Sequence, residues 1–184
     1  MKEKKILIIK FGGLGDIILS LNAMYSIRNK FQGSKLILLT EKPYDQFLKK
    51  SKWFDDIIVI KRSLFYFYDK ILLKKKMDFS SLQKVFDLQT SRRSSSYLKI
   101  FRKKGIYTNG IGEYAKVKHD NPKRDNMHTY LRQEDQLKLS NITFKKKINL
   151  DWLYSTKKKN KKKIALIVPG GSKKRLNKRI QIKI

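Results

Sequence analysis

Four consecutive apolar residues, Ile6 to Ile9, are followed within a few positions by Gly12-Gly13-Leu14-Gly15 and then Asp16. A short apolar run rich in isoleucine is the pattern of a strand covered on both faces. Beyond the glycines, Ile17, Leu21, Met24 and Ile27 recur at helical spacing, and Ile18 and Ala23 widen the stripe. A buried strand that turns through glycines directly into a helix commits the chain to the α/β class. It also raises a question about Asp16. Aspartate is a preferred helix cap, but a carboxylate at the mouth of a buried strand is also where a catalytic group can stand, and spacing leaves both roles open.

The pattern repeats along the chain. KLILLTE (35–41) reads as a second strand, followed from Pro43 by a helical segment to about Lys50. DDIIVIK (55–61) reads as a third strand and Leu64 to Met77 as a basic, aromatic helix. KVFDLQ (84–89) is the fourth strand; the polar TSRRSSS leads into a helix through Tyr97 and Phe101, and Gly105 to Thr108 form a further strand. Gly110, Gly112 and Pro122 mark a long loop before a helix over 127–142. Thr156 to Lys163, TKKKNKKK, has linker composition, and Ile164 to Val168 opens a new apolar strand followed by PGGSKK. Strands alternating with helices predict a mostly parallel α/β sheet. The expected division is a first domain over 1–156, a basic linker over 157–163 and the start of a second domain over 164–184. In such sheets ligands bind at the carboxyl ends of the strands, and the GGLGD, DLQTSRRS and PGGS segments each follow an apolar strand on that side.

Charge narrows the partners. The 184 residues carry 45 Lys+Arg against 15 Asp+Glu, a formal net charge of +30. Such a field attracts anions of every kind, while a solvated Lys/Ile/Asn-rich composition explains it equally well. The lysines lie scattered or in short runs, with no arginine-bearing motif for reading DNA, so specific nucleic-acid binding is not expected. A non-enzymatic, basic nucleic-acid-binding protein stands as the alternative to an enzyme. The absence of cysteine removes disulfide and thiol chemistry, and fits a reducing, cytoplasmic setting. No apolar run approaches the roughly 18 residues that span a bilayer.

The glycine loop lets a ligand approach the backbone at a helix N-terminus. It is not the dinucleotide fingerprint, because the third glycine is missing at its offset and no acidic residue clearly ends the second strand in the ribose role, Glu41 being a weak candidate. That disfavours a nucleotide-binding oxidoreductase half. Arg92 and Arg93 follow a strand end, where they hold an anion or line a solvated loop. His128 stands at a helix start, more in keeping with a structural role, and His119 and Asp120 form no metal-spaced cluster. Trp53, Phe54 and Phe65 to Tyr68 are expected in the core, with a membrane-facing patch as the alternative.

ILIIKFGGLGDIILSLNAMYSIRNKF resembles the opening of the ADP-heptose:lipopolysaccharide heptosyltransferases, glycosyltransferase family 9. VFDLQTSRRS, MHTYLRQEDQLKLSNI and IALIVPGGSKKRLNKRI resemble three further family segments in the same order. The resemblance implies a GT-B fold of two facing Rossmann-like domains, with this chain supplying the acceptor-side domain and the first piece of the donor-binding one. It implies inverting transfer of a heptose or related sugar from an ADP-activated donor to the inner core of lipopolysaccharide. The nucleotide-sugar is then a substrate, and neither cofactor nor metal is called for. Asp16 matches the family's general base. Gly12, Gly13, Gly15, Gln89, Arg92 and Arg93 fall on the acceptor side, and Ser172 and Lys178 match the donor-phosphate loop. The partners implied are an ADP-sugar and a lipid-linked anionic oligosaccharide, met in the cytoplasm with peripheral contact at the inner membrane. The chain departs from the pattern after Lys178-Arg179, where Ile180-Gln181 replace the usual Trp-Pro, and it is about half the family length, so the reading is of a truncated enzyme that transfers sugar poorly by itself.

Overall fold

The computed structural model describes residues 3–61 and 64–154. The expected linker over 157–163 and the second-domain segment over 164–184, with Ser172 and Lys178, lie outside the described residues.

Six parallel strands form one sheet: β1 (Lys5–Ile9), β2 (Lys35–Thr40), β3 (Asp56–Val59), β4 (Leu82–Asp87), β5 (Tyr107–Gly110) and β6 (Val117–Lys118). Their spatial order is β3-β2-β1-β4-β5-β6, the doubly wound Rossmann-like arrangement; its parallel strands were expected from the alternation of strands and helices, and its Rossmann-like form from the family resemblance. The α-helices among the described residues are α1 (Leu14–Leu19), α2 (Leu21–Lys30), α3 (Tyr44–Lys49), α4 (Tyr66–Lys76), α5 (Arg92–Arg102) and α6 (Thr129–Lys138).

The period of two along a strand sends neighbouring side chains to opposite faces, and β1 divides accordingly. Ile6 and Ile8 join Leu36, Leu38 and Phe86 under Ile17, Leu21, Met24, Ile27 and Leu48. Leu7 and Ile9 join Ile37, Leu39 and Val85 under Leu73, Tyr97, Leu98 and Phe101. Helices α1, α2, α3 and α6 therefore cover one face, and α4 and α5 the other. Each fully buried side chain of this size contributes about 1.5–3 kcal/mol of hydrophobic stabilisation.

Four local expectations need correction. The helix after the glycines is two helices, broken at Ser20, whose hydroxyl donates to the Asp16 carbonyl one turn back (2.7 Å); such back-bonding bends a helix. Gly110 belongs to β5 rather than to a loop: a Cβ there would stand 3.0 Å from Leu98 Cδ1 and 3.1 Å from Asp87 Cβ, so crowding and not a turn explains it. The supposed long loop contains β6 and a short 3₁₀ turn, Arg124–Asn126, and the helix after it is shorter than 127–142. Finally, Trp53 lies in the core against Tyr25 and Trp152, but Phe65 to Tyr68 are exposed.

Candidate functional site

In an open parallel sheet, the chains leaving two adjacent strands diverge to opposite faces at one point, and a crevice opens there. Here that point is the gap between β1 and β4, which are neighbours in space and lead to helices on opposite faces. Residues that follow both strands line a cavity of about 100 Å³: Lys10 and Asp16 after β1, and Leu88, Gln89 and Thr90 after β4. Helix α6 closes it with Thr129, Arg132, Gln133 and Gln136.

Helix α6 is held over the crevice by buried amides. Gln136 donates to the Asp87 carbonyl (3.0 Å) and to Asn109 Oδ1 (2.8 Å), and Gln133 donates to the Ser20 hydroxyl (2.8 Å). A buried amide left unpaired is costly, so these bonds fix the register of α6 against the strand ends. His128 caps this helix, its Nδ1 accepting from the Tyr130 amide.

The glycine loop is shaped by its own chain. Gly12 has φ +99°, which L side chains rarely adopt. Its amide donates to Glu41 (3.0 Å), and the Phe11 amide donates to Gln89 Oε1 (3.0 Å). With these two amides engaged, one of them by a carboxylate, the entry to the loop is not an open phosphate cradle.

Asp16 is the third residue of α1; the cap position is Gly13, and Asp16 makes no capping hydrogen bond. The capping role weighed for it is therefore not the one it fills. Its exposed carboxylate lies beside Gly12 together with the Gln89 amide group: a Cβ on Gly12 would be 3.6 Å from Asp16 Oδ2 and from both polar atoms of that amide. Gly13 and Gly15 flank it, Gly15 with open space where a Cβ would stand. Gly12, Gly13, Gly15, Asp16 and Gln89 thus form one group at the crevice mouth.

Arg92 and Arg93 do not join that group. Arg92 is exposed in the first turn of α5, behind the Ser91–Ser94 capping box. Arg93 is turned to the far face, where it pairs with buried Asp69 of α4 (3.0 Å) and stacks over the Tyr66 ring at 4.5 Å.

Sequence reasoning missed the charged floor of the site. Lys10, directly after the apolar run of β1, is buried, with Nζ directed at the Leu88 carbonyl (3.4 Å). Burial lowers its pKa from the ordinary lysine value, and Asp16 and Asp87 oppose the shift. Asp87 is fully buried and accepts from the Gln89 and Thr90 amides, both at 3.0 Å. Burial raises its pKa to about 6, against the pull of those amides, of the Ser94 hydroxyl and of Lys10. Arg132 and Arg124 add positive charge; Nε and Nη2 of Arg124 have no hydrogen-bond partner among the described residues, and burial, then Arg132, lowers its pKa. A lone lysine after an apolar run carries no sequence motif, and Asp87, although it lies within VFDLQTSRRS, was not singled out there. The usable signal was their position, each at the carboxyl end of one of two central strands.

No group of His, Cys, Asp or Glu suited to a metal ion occurs among the described residues. The crevice offers a solvent-facing carboxylate, an amide beside it, and cations behind and above.

No family model matches the sequence, and no curated protein matches it significantly. Among solved structures, the chain is similar to the glycosyl transferase family 9 protein from Veillonella parvula DSM 2008, with a TM-score of 0.59 and 17% identity over 76% of this chain. The matched region is 42% of that protein, so the chain spans less than half the length of the structure it resembles. The likeness establishes a shared Rossmann-like α/β fold.

Proposed function

We propose that this chain is the acceptor-binding part of an inverting glycosyltransferase and that Asp16 is its general base. The observation that carries the reading is the Asp16 carboxylate: it stands free of hydrogen bonds among the described residues, at the switch point of a fold shared with a family 9 protein. A carboxylate so placed takes the proton from an acceptor hydroxyl as that oxygen attacks the anomeric carbon. The bond from that carbon to the donor diphosphate breaks in the same displacement, its electron pair leaves on the diphosphate, and the configuration inverts. Ser172 and Lys178 are the residues proposed to meet the diphosphate, where a cation offsets the developing charge.

The donor proposed is an ADP-activated heptose or related sugar, and the acceptor a phosphorylated, lipid-linked inner-core oligosaccharide. Lys10 and Arg132 line the crevice with positive charge suited to such an anion, and Arg124 acts on Asp87 and Arg132 through space. Gln89, with its carbonyl held by the Phe11 amide, presents its NH₂ group toward the acceptor hydroxyls.

The test joins this chain to the donor-binding half of a family 9 glycosyltransferase and follows transfer of labelled sugar from an ADP-sugar. Asp16→Asn should lower turnover by a factor on the order of 10² to 10⁴, the usual contribution of general base catalysis. Stability should change by less than ~1 kcal/mol, since only a favourable charge in the first helical turn is lost. Near-normal turnover of the variant would remove Asp16 from the mechanism.

A further inference from the structure

Helix α4 turns an apolar stripe to solvent. Phe67, Tyr68 and Ile71 are 67%, 57% and 44% exposed, and Leu64, just ahead of the helix, is more exposed still. The spacing of these four is i, i+3, i+4 and i+7, the pattern that normally faces a core. The residues that continue the stripe are Lys74 and Lys75, both exposed. The opposite side of the helix is anchored: Leu73 is in the core, and Asp69 is buried in its pair with Arg93. The outward stripe is therefore not a loosely packed inner face, because the inner face is already engaged.

From this arrangement we infer that α4 docks the protein on an anionic lipid bilayer. Large exposed apolar patches on a soluble domain mark interaction surfaces. What selects a bilayer here is the combination of Phe and Tyr side chains, which suit the boundary between headgroups and acyl chains, with lysines one to two turns along the same face. Anionic headgroups attract lysines so placed, and the chain as a whole carries a net charge of +30. No helix among the described residues is long and apolar enough to cross a membrane, so the contact is one of lying on the surface. The position of the stripe fits a surface-bound acceptor as well. Arg93, in the first turn of α5, holds the N-terminal end of α4 through Asp69 and Tyr66. The stripe therefore begins at the carboxyl edge of the sheet, the edge on which the crevice opens.

The inference goes beyond glycosyl transfer and does not depend on it. The test is co-sedimentation of the whole 184-residue chain at physiological salt with phosphatidylcholine vesicles, with and without about one-third phosphatidylglycerol. The doubly substituted Phe67→Ser/Ile71→Ser variant keeps the charge and should bind the anionic vesicles weaker by a factor on the order of 10 or more. Lys74→Gln/Lys75→Gln should weaken binding on the order of 10-fold, an effect that fades as salt is added. Phe67→Trp, a mild change at an exposed site, should show a blue shift in its emission on adding anionic vesicles. Asp16→Asn should bind as the wild type does, which separates this result from the fate of the catalytic reading. Unweakened binding of the Ser variant, or an emission spectrum of the Phe67→Trp variant that does not shift, would reduce the contact to general charge attraction and overturn the inference. So would light scattering that showed the stripe pairing two copies of the chain without lipid.

Discussion

Two aspartates, Asp69 in α4 and Asp87 at the end of β4, are both fully buried, yet the protein treats them differently. At the seam between α4 and α5, Asp69 has a guanidinium in direct contact and accepts from the Tyr97 hydroxyl. In the crevice, Asp87 has two backbone amides, and among the described residues no cation touches it; Lys10 acts on it through space. A buried carboxylate is tolerated when its charge is matched at contact distance and its oxygens are bonded. The seam satisfies that condition and the crevice satisfies it in part, which is why burial raises the pKa of Asp87 to about 6. The lesson is that a completed ion pair fastens helices, whereas an incompletely matched cluster at a switch point marks the place kept for chemistry.

Breaking the seam should have the largest effect. Asp69→Ala leaves the Arg93 guanidinium without its partner and should destabilise the domain by about 3 kcal/mol, read from the denaturant midpoint at constant slope. A loss below ~1 kcal/mol would mean that α4 is held by its apolar contacts and that the contrast between the two aspartates is overdrawn.

The corresponding change in the crevice should act in the opposite direction. Because the folded pKa of Asp87 lies above its ordinary value of 3.8, the fold favours the protonated form. That contribution is complete below about pH 4 and is lost as pH rises through about 6, a span worth about 3 kcal/mol. Asp87→Asn keeps an acceptor for the Gln89 and Thr90 amides without the charge, so it should stabilise the protein by about 1–3 kcal/mol at pH 7.5, with no gain near pH 4. Melting curves across that range decide the matter, and a destabilised variant at neutral pH would show that the carboxylate is well matched after all.

The smallest effect sharpens the link between the crevice charges. Lys10→Met removes the nearby cation that favours ionised Asp87, and should raise the Asp87 pKa further, by a fraction of a unit to about one unit. Carbon-detected titration of the carboxyl group measures this directly. An unmoved titration would separate Lys10 from Asp87.

Much of the fold was legible because it rests on local patterns. Ile6 to Ile9, Leu36 to Leu39 and Val85-Phe86 announce buried strands by continuous hydrophobicity, and the glycines after β1 announce the turn. Other elements were hidden by the same rules. Gly110 reads as a breaker, although the side chains of Leu98 and Asp87 are what require it. The two-residue strand β6 is too short to show a period. At the candidate site, Asp16 and the glycines were singled out from one motif and Gln89 from the family resemblance, and the structure groups them at the crevice mouth. Lys10, Asp87, Arg124 and Arg132 were not found, since they come from four separate segments and share no spacing.

The sequence by itself determined the class of fold, the alternation of strand and helix, and the placement of a glycine turn with an acidic residue behind it, because each follows from hydrophobic period and backbone permissiveness over a few neighbouring residues. Only the tertiary structure decided which charges meet and which apolar stripe is left outside. Arg93 and Arg92 are adjacent in the chain, yet one is locked to Asp69 and the other is exposed. The stripes of α2 and α4 have the same helical spacing, yet Leu21, Met24 and Ile27 are buried while Phe67, Tyr68 and Ile71 face solvent. The physical reason is that periodicity establishes that a helix has an apolar face, whereas the direction of that face depends on anchors elsewhere in the chain, and for α4 the anchor is a buried carboxylate held by an arginine 24 residues away.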